Sequence, residues 1–382
     1  MIKGNFPTQH FENLPTPFYY YDTELLKNTL TCIKKESSKY NYKVHYAIKA
    51  NANEQILKII QNEGFGADCV SGGEINAALN AGFNNNEIVF AGVGKADWEI
   101  ETALKSDIFC FNVESAVELE VINQIANNLK KTAKVALRVN PNIDAHTHSY
   151  ITTGLNENKF GINLEKLQET ILLFSKLKNV SLIGLHFHIG SQITDMSPFQ
   201  DLCIKINEIQ SELKNVGITL QHINVGGGLG INYQHPNHIP MADFETYFKV
   251  FHDYLNLEKN QTLHFELGRS IVAPCGSLIT KVLYIKEGTT KRFAIVDAGM
   301  TDLIRPALYK AYHHIENISS NEDFEIYDIV GPICESSDTF AKDYSLNKTK
   351  RGDLLAIRSA GAYGEIMASK YNLRELPKSF FF

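Results

Sequence analysis

The chain has no Cys-x-x-Cys pair among its six cysteines, at positions 32, 69, 110, 203, 275 and 334. Scattered singly, they fit reduced thiols better than a disulfide framework or a structural zinc site. Nowhere do the ~18 consecutive apolar residues of a membrane helix occur, and Met1 to Pro17 lacks the apolar core of a signal peptide. No long block of Lys and Arg is present, and a formal net charge of −6 argues against a generic polyanion binder. Repeats with a period of about 20 to 50 residues are missing too, as are low-complexity tracts. Together these absences predict a cytoplasmic protein with neither nucleic acid nor membrane as partner.

What is there is ordinary in bulk and distinctive in order. The 382 residues are 44% hydrophobic and 21% charged, a globular composition, and two domains are the natural expectation at this length. From Val44 onward, short β-branched or aromatic runs alternate with longer segments of helical spacing. The runs are Val44–Ile48, Gly66–Val70, Ile88–Ala91, Ile108–Asn112, Lys134–Val139, Leu182–His188, His222–Val225 and Leu263–Glu266. Between them, Asn53–Glu63, Gly73–Ala81, Ser115–Leu129, Leu164–Leu177 and Pro198–Val216 repeat their apolar residues at helical period. An eightfold strand–helix alternation predicts an α/β fold of the (β/α)8 TIM-barrel type, although a doubly wound open sheet shows the same rhythm.

After Ser270 the rhythm changes. Ser277–Lys286, Arg292–Asp297, Phe324–Ile329 and Asp353–Ser359 read as strands, with little helix before Gly364–Lys370. A run of strands after the alternating part predicts a second, mainly β domain. The expected division is a barrel over 22–270 and a β domain made of 1–21 plus 271–382.

Active sites of such barrels gather at the C-terminal ends of the strands, and the distinctive residues fall there. Lys49 is placed at the end of the first strand, where desolvation can remove its charge and let it condense with an aldehyde. His188 is placed at the end of the sixth, Gly226-Gly-Gly-Leu-Gly230 after the seventh, and Glu266-Leu-Gly-Arg269 at the end of the eighth. The glycines let backbone N–H groups cradle a phosphate; by themselves they are also what a tight turn needs. They form neither a dinucleotide fingerprint, since position 231 is Ile231, nor a Walker loop. A carboxylate such as Glu266, set against a pyridine nitrogen, keeps that nitrogen protonated. On their own, Glu266 and Arg269 read equally as an ion pair. His186 and His188 share a strand face, but the later strand ends lack further His and Asp ligands, so no metal is assigned. His188 suits stacking on a flat ring, and His186 reads as a hydrogen-bonded core histidine. His146 and His148 fall on a loop and receive no metal either.

The motifs, in order, are Tyr46-Ala-Ile-Lys-Ala-Asn51, His146-Thr-His148 with Thr153-Gly-Leu and Lys159-Phe-Gly161, His186-Phe-His-Ile-Gly-Ser-Gln192, the glycine run, Glu266-Leu-Gly-Arg269, Gly331-Pro-Ile-Cys-Glu-Ser-Ser-Asp338 and Gly361-Ala-Tyr-Gly364. In these the chain resembles, over nearly its whole length, the pyridoxal-phosphate-dependent alanine racemase-fold decarboxylases. That family takes in the diaminopimelate, ornithine and arginine decarboxylases. The resemblance implies pyridoxal 5'-phosphate held by Lys49, with His188 on its ring and Glu266 at its nitrogen. It further implies Ser191, Gly228, Gly268, Arg269 and Tyr363 at the phosphate. Arg269, Arg305, Tyr309 and Tyr363 would be substrate-binding, and Asp68, Glu74 and Arg138 would be supporting residues. Cys334 and Glu335 would come from the partner subunit of a homodimer with shared active sites, Cys334 as proton donor. Leu267 departs from the family's common proline, which removes no functional group.

Ornithine- and arginine-directed relatives usually carry Asp after the cysteine, where this chain has Glu335. Diaminopimelate has an additional ammonium–carboxylate centre, for which Glu335 and the arginines supply opposite charges. The resemblance therefore implies decarboxylation of meso-2,6-diaminopimelate to L-lysine and CO2. The alternatives are another diamino or carboxylated polyamine substrate, such as carboxynorspermidine, ornithine or arginine, and a non-catalytic regulatory homologue.

Overall fold

The structure, a computed structural model, describes residues 4–143 and 159–382. His146, His148 and the Thr153-Gly-Leu motif lie outside the described residues. Two compact units are present, one of Leu30–Gly230 and Asp243–Gly268, the other of Met1–Thr29, Ile231–Ala242 and Arg269–Phe382.

The first unit is a closed parallel barrel. Its strands are β1 (Lys43–Ala47), β2 (Gly66–Cys69), β3 (Ile88–Phe90), β4 (Cys110–Val113), β5 (Ala133–Asn140), β6 (Val180–His186), β7 (His222–Asn224) and β8 (Thr262–Leu267). Each pairs in parallel with the next, and β8 returns to β1 with Glu266 opposite His45. That closure excludes the open doubly wound sheet. The strands are buried almost throughout, as expected where helices cover the outside and side chains fill the inside.

Local sequence sets the covering helices. Ser71 and Ser115 accept hydrogen bonds from the backbone amides of Glu74 and Glu118, capping the helices Gly72–Ala81 and Ala116–Asn128. Asp243 caps Phe244–Tyr254 in the same way, through Thr246. Tyr247, Phe248 and Phe251 recur at helical spacing on that last helix and enclose Phe265 of β8, with ring centroids 5.6, 4.9 and 5.0 Å away. Edge-on aromatic pairs of this kind add about 0.5–1.5 kcal/mol each beyond the area they bury, so β8 is firmly located. The segment read as helical over Leu164–Leu177 is α-helical only to Leu172, then tightens into a 3-10 turn over Leu173–Ser175.

The second unit is an eight-stranded, mainly antiparallel sheet in the order Ile315–Asn317, Leu354–Ile357, Gly276–Glu287, Arg292–Val296, Phe324–Val330, Thr339–Asn347. Phe18–Tyr21 pairs antiparallel to Gly276–Glu287 and parallel to Lys378–Phe381. Thr339–Asn347 had no sequence signal, because its polar residues are mostly solvent-facing and mask the alternation. Nor is Gly364–Lys370 an α-helix. It holds a 3-10 turn over Glu365–Met367, because Gly364 (φ −101°, ψ −90°) is outside helical geometry and Ala368 is already extended.

Candidate active site

The barrel strands stop slightly earlier than their sequence runs imply. Hydrogen bonding of β1 ends at Ala47, and Lys49 sits in the 3-10 turn Ile48–Ala50, closed by the Asn51 amide donating to the Ile48 carbonyl. β6 ends at His186, so His188 lies two residues beyond it. Both side chains thereby leave the ladder at its C-terminal end.

The Lys49 ammonium is half-buried and donates to Oδ2 of Asp68 on β2 at 2.9 Å. Asp68 is fully buried, and its other oxygen is buried without a hydrogen-bond partner among the described residues. Burial, then the charge of Glu266, pushes the Asp68 carboxyl above its usual range against the pull of Lys49. Two carboxyls and one lysine thus share the mouth of the barrel.

Glu266, on β8, is the most heavily supported group there. Asn112 of β4 and Asn224 of β7 both donate to Oε1, at 2.9 and 2.8 Å. His186 of β6 donates from Nε2 to Oε2 at 3.0 Å. Burial raises the Glu266 carboxyl, but His186, followed by Lys49, outweighs that and holds it well below the ordinary carboxylate range. A buried carboxylate so supported stays anionic at any working pH.

The glycine run packs tightly against both neighbouring strand ends. Gly226 and Gly228 have φ of +67° and +102°, a region that side chains disfavour. A Cβ on Gly227 would lie 2.0 Å from the Glu266 carbonyl oxygen. Asn224 ties this loop to the carboxylate, since its Oδ1 accepts from the Gly226 amide while its Nδ2 donates to Glu266. The Gly227 amide donates to Nδ1 of His188 at 3.2 Å. Burial, followed by the charges of Arg138 and Lys49, drives the His188 imidazole well below its usual pKa, so the ring is neutral. The Ser191 loop runs beside the glycines, with Ile193 bridged to Leu229. Gly268, beyond β8, closes against Ala47 and Ala50, whose Cβ atoms lie 3.1 and 3.0 Å from where its own would be.

The supporting residues also stay in the barrel. Arg138 is paired with buried Glu114 at 2.7 Å, and Oε2 of Glu114 accepts the Gly161 amide. Glu74 accepts the Val70 amide, and burial pushes its carboxyl up to about 7.

In the second unit the structure gathers Arg269, Arg305, Tyr309 and Tyr363. The Arg269 guanidinium lies 4.9 Å from the Tyr363 ring centroid and donates to the Tyr233 hydroxyl at 2.8 Å. Arg305 lies 5.7 Å from the Tyr233 centroid and 6.0 Å from those of Tyr309 and Tyr363. Tyr363 takes a left-handed φ of 57° to reach this position. Cys334 and Glu335 are exposed on a turn elsewhere in this unit, where Glu335 accepts the Tyr371 hydroxyl at 2.6 Å. Among the described residues no hydrogen bond or ion pair joins them to the arginines.

Sequence reading missed Asn112, Asn224, Tyr233 and His313, and left His186 without a task. The available signal was a polar residue repeatedly placed inside apolar strand runs, at Asn112, His186 and Asn224. Taken together, the barrel mouth offers an amine, a buried permanent anion, a flat neutral imidazole and a glycine-lined backbone. That donor set fits an aldehyde-bearing, phosphorylated pyridine, and the buried Asp68 oxygen is left with acceptor capacity unused among the described residues.

Comparison with known proteins agrees with this chemistry. The family described as "Pyridoxal-dependent decarboxylase, pyridoxal binding domain" matches residues 25–273. A diaminopimelate decarboxylase of Bacteroides thetaiotaomicron is 62% identical over 380 residues, 99% of this chain and 98% of that protein. The crystal structure of diaminopimelate decarboxylase from Helicobacter pylori complexed with L-lysine superposes with a TM-score of 0.93 at 43% identity, covering 98% of this chain and 93% of that one. The M. jannaschii diaminopimelate decarboxylase in co-complex with L-lysine gives 0.90 at 38% identity, over 98% and 88%.

Proposed function

The chain belongs to the pyridoxal-dependent decarboxylases, and from that premise we propose that it converts meso-2,6-diaminopimelate to L-lysine and CO2, the last step of lysine biosynthesis. The observation that carries this reading is the triply hydrogen-bonded Glu266 carboxylate in the same barrel mouth as Lys49. The two relatives solved with L-lysine support the choice of product.

Lys49 would hold pyridoxal phosphate through its aldehyde, Glu266 would face the ring nitrogen, and His188 would lie against the ring. Ser191 and Gly228 would bind the phosphate with backbone and hydroxyl donors. When bound, the cofactor supplies a positively charged ring that accepts the electron pair left behind by departing CO2. Glu266 does the work that keeps that charge in place, since an anion fixed at the nitrogen retains its proton. Before the cofactor binds, Asp68 accepts a hydrogen bond from the Lys49 ammonium and fixes where that amine sits.

Arg269, Arg305 and Tyr309 are assigned to the carboxylate at the far end of the substrate. We assign Cys334 and Glu335 to the active site of a second copy of the chain, in a homodimer. There the Cys334 thiol delivers a proton to the carbon that has lost CO2, and Glu335 reads the distal ammonium. The reading is supported by their exposure, and it is tested by mixing Lys49→Ala with a Cys334→Ala, Glu335→Ala double variant. Hybrid dimers should regain activity in one of their two sites; mixtures no more active than their parts would remove the shared site. Six free cysteines fit a cytoplasmic setting, and recovery in a periplasmic fraction would count against it.

The experiment for the reaction itself is product analysis with purified protein and pyridoxal phosphate. Lysine and CO2 from diaminopimelate, with ornithine, arginine and carboxynorspermidine left intact, is the expected result. Turnover of one of those three instead would reassign the substrate.

A further inference from the structure

Arg305 is 7% exposed, and among the described residues no carboxylate pairs with it. Its Nε–H donates instead to Nε2 of His313 at 3.3 Å. The other nitrogen of that imidazole, Nδ1, faces the Arg358 carbonyl at 2.9 Å. A carbonyl only accepts, so Nδ1 carries the hydrogen and Nε2 keeps the lone pair that Arg305 needs. Burial first, and then the nearby Arg305 charge, depresses His313 to about 3, so the imidazole is neutral at any working pH.

The other close neighbours of Arg305 are tyrosines and a second guanidinium. Tyr233 receives the edge of His313 at 5.2 Å and stands between Arg305 and Arg269. Tyr309 and Tyr363 complete the surroundings. The same unit treats the partly buried Arg358 differently, pairing it directly with Glu316. A guanidinium such as Arg305, close to that of Arg269 and with no carboxylate pairing it among the described residues, is costly to bury. The arrangement is profitable only when an anion arrives.

We propose that His313 is a positioning residue that orients Arg305 through an uncharged hydrogen bond, leaving the guanidinium's full charge for the distal carboxylate of the substrate. This rests on the assignment of Arg305 to that carboxylate. An acidic residue at 313 would hold Arg305 equally well in geometry and cancel the charge that selects the ligand.

The test compares His313→Glu with His313→Gln in the holoenzyme. Kinetics with meso-diaminopimelate are measured beside calorimetric binding of pimelate, a dicarboxylate with no amine to react. His313→Glu should raise both the KM and the pimelate Kd about tenfold or more with kcat nearly unchanged, the pattern of lost uniform binding. His313→Gln, whose side-chain oxygen can accept from Arg305, should restore most of that loss. Equal weakening by both variants, or none from His313→Glu, overturns the proposal. If the wild type binds pimelate with this His313 dependence yet does not decarboxylate diaminopimelate, the positioning role stands and the substrate assignment falls. Should His313→Glu fail to fold, 15N spectra of histidine-labelled wild type decide. A neutral Nδ1–H tautomer at His313 supports the proposal, and an imidazolium at neutral pH overturns it.

Discussion

Glu266 receives hydrogen bonds from three side chains, but they are not equivalent. Asn112 and Asn224 share one oxygen, whereas His186 alone serves the other and does most to hold the carboxyl low. A hydrogen bond to a charged group contributes about 1.5–3 kcal/mol, and more is lost when its removal leaves a buried charge short of a partner. His186→Leu should therefore weaken pyridoxal phosphate binding by about ten- to a hundredfold and lower kcat, because the carboxyl would be free to rise and protonate. His186→Gln can still donate and should recover much of the affinity. Spectroscopic titration of the cofactor reads both, and wild-type affinity in His186→Leu would show that the contact is only packing.

At the scale of an element, the glycine loop is constrained more by what lies behind it than by its own flexibility. Gly227 abuts the backbone of β8, and a methyl there meets the Glu266 carbonyl oxygen at 2.0 Å, a contact no side-chain rearrangement relieves. Gly227→Ala should displace the loop from β8, disturb the amide that orients His188, and cut cofactor affinity at least tenfold. Gly73 is the fitting control. Its Cβ would meet nothing nearer than the Ser71 hydroxyl at 3.6 Å, and in the first turn of a helix the change to Ala gains about 0.5–1 kcal/mol. Gly73→Ala should raise the melting temperature and leave the cofactor titration unchanged, whereas Gly227→Ala should shift the titration to weaker binding. A Gly227→Ala protein that binds like wild type would mean that the loop does not carry the phosphate.

Across the molecule, burial has shifted acids and bases in opposing senses, so pH dependence is best read from differences between variants. His222 sits inside the barrel with neither ring nitrogen hydrogen-bonded among the described residues, and burial followed by the charge of His45 lowers it to about 3. Between about pH 6.5 and 3 the unfolded chain binds a proton there that the folded chain refuses, so this site's stability is lost as pH falls. Glu74 behaves in reverse. Raised to about 7, it favours the fold below about pH 4.5 and loses that contribution as pH rises through 7. Relative to wild type, His222→Leu should gain melting temperature as the buffer is acidified from pH 7 to 4. Glu74→Gln should gain it as pH rises from 5 to 8. Parallel curves for either variant would show that its group is not the one titrating.

The alternation of apolar runs was enough to place eight strands and the loops that follow them, since a barrel strand buried on both faces announces itself locally. Lys49, the glycine loop and Glu266 were legible for a related reason, as each is a chemically unusual residue in an otherwise predictable element. What only the tertiary structure decided is which polar groups meet. Asn112, His186 and Asn224 lie 154, 80 and 42 residues from Glu266 in sequence, and nothing local distinguishes them from ordinary interior residues. Closing β8 onto β1 turns their strands to a common axis, where a low dielectric makes each hydrogen bond count. The neutrality of His313 is likewise a property of the fold. It depends on a carbonyl 45 residues away that fixes the tautomer and on burial that excludes a second proton.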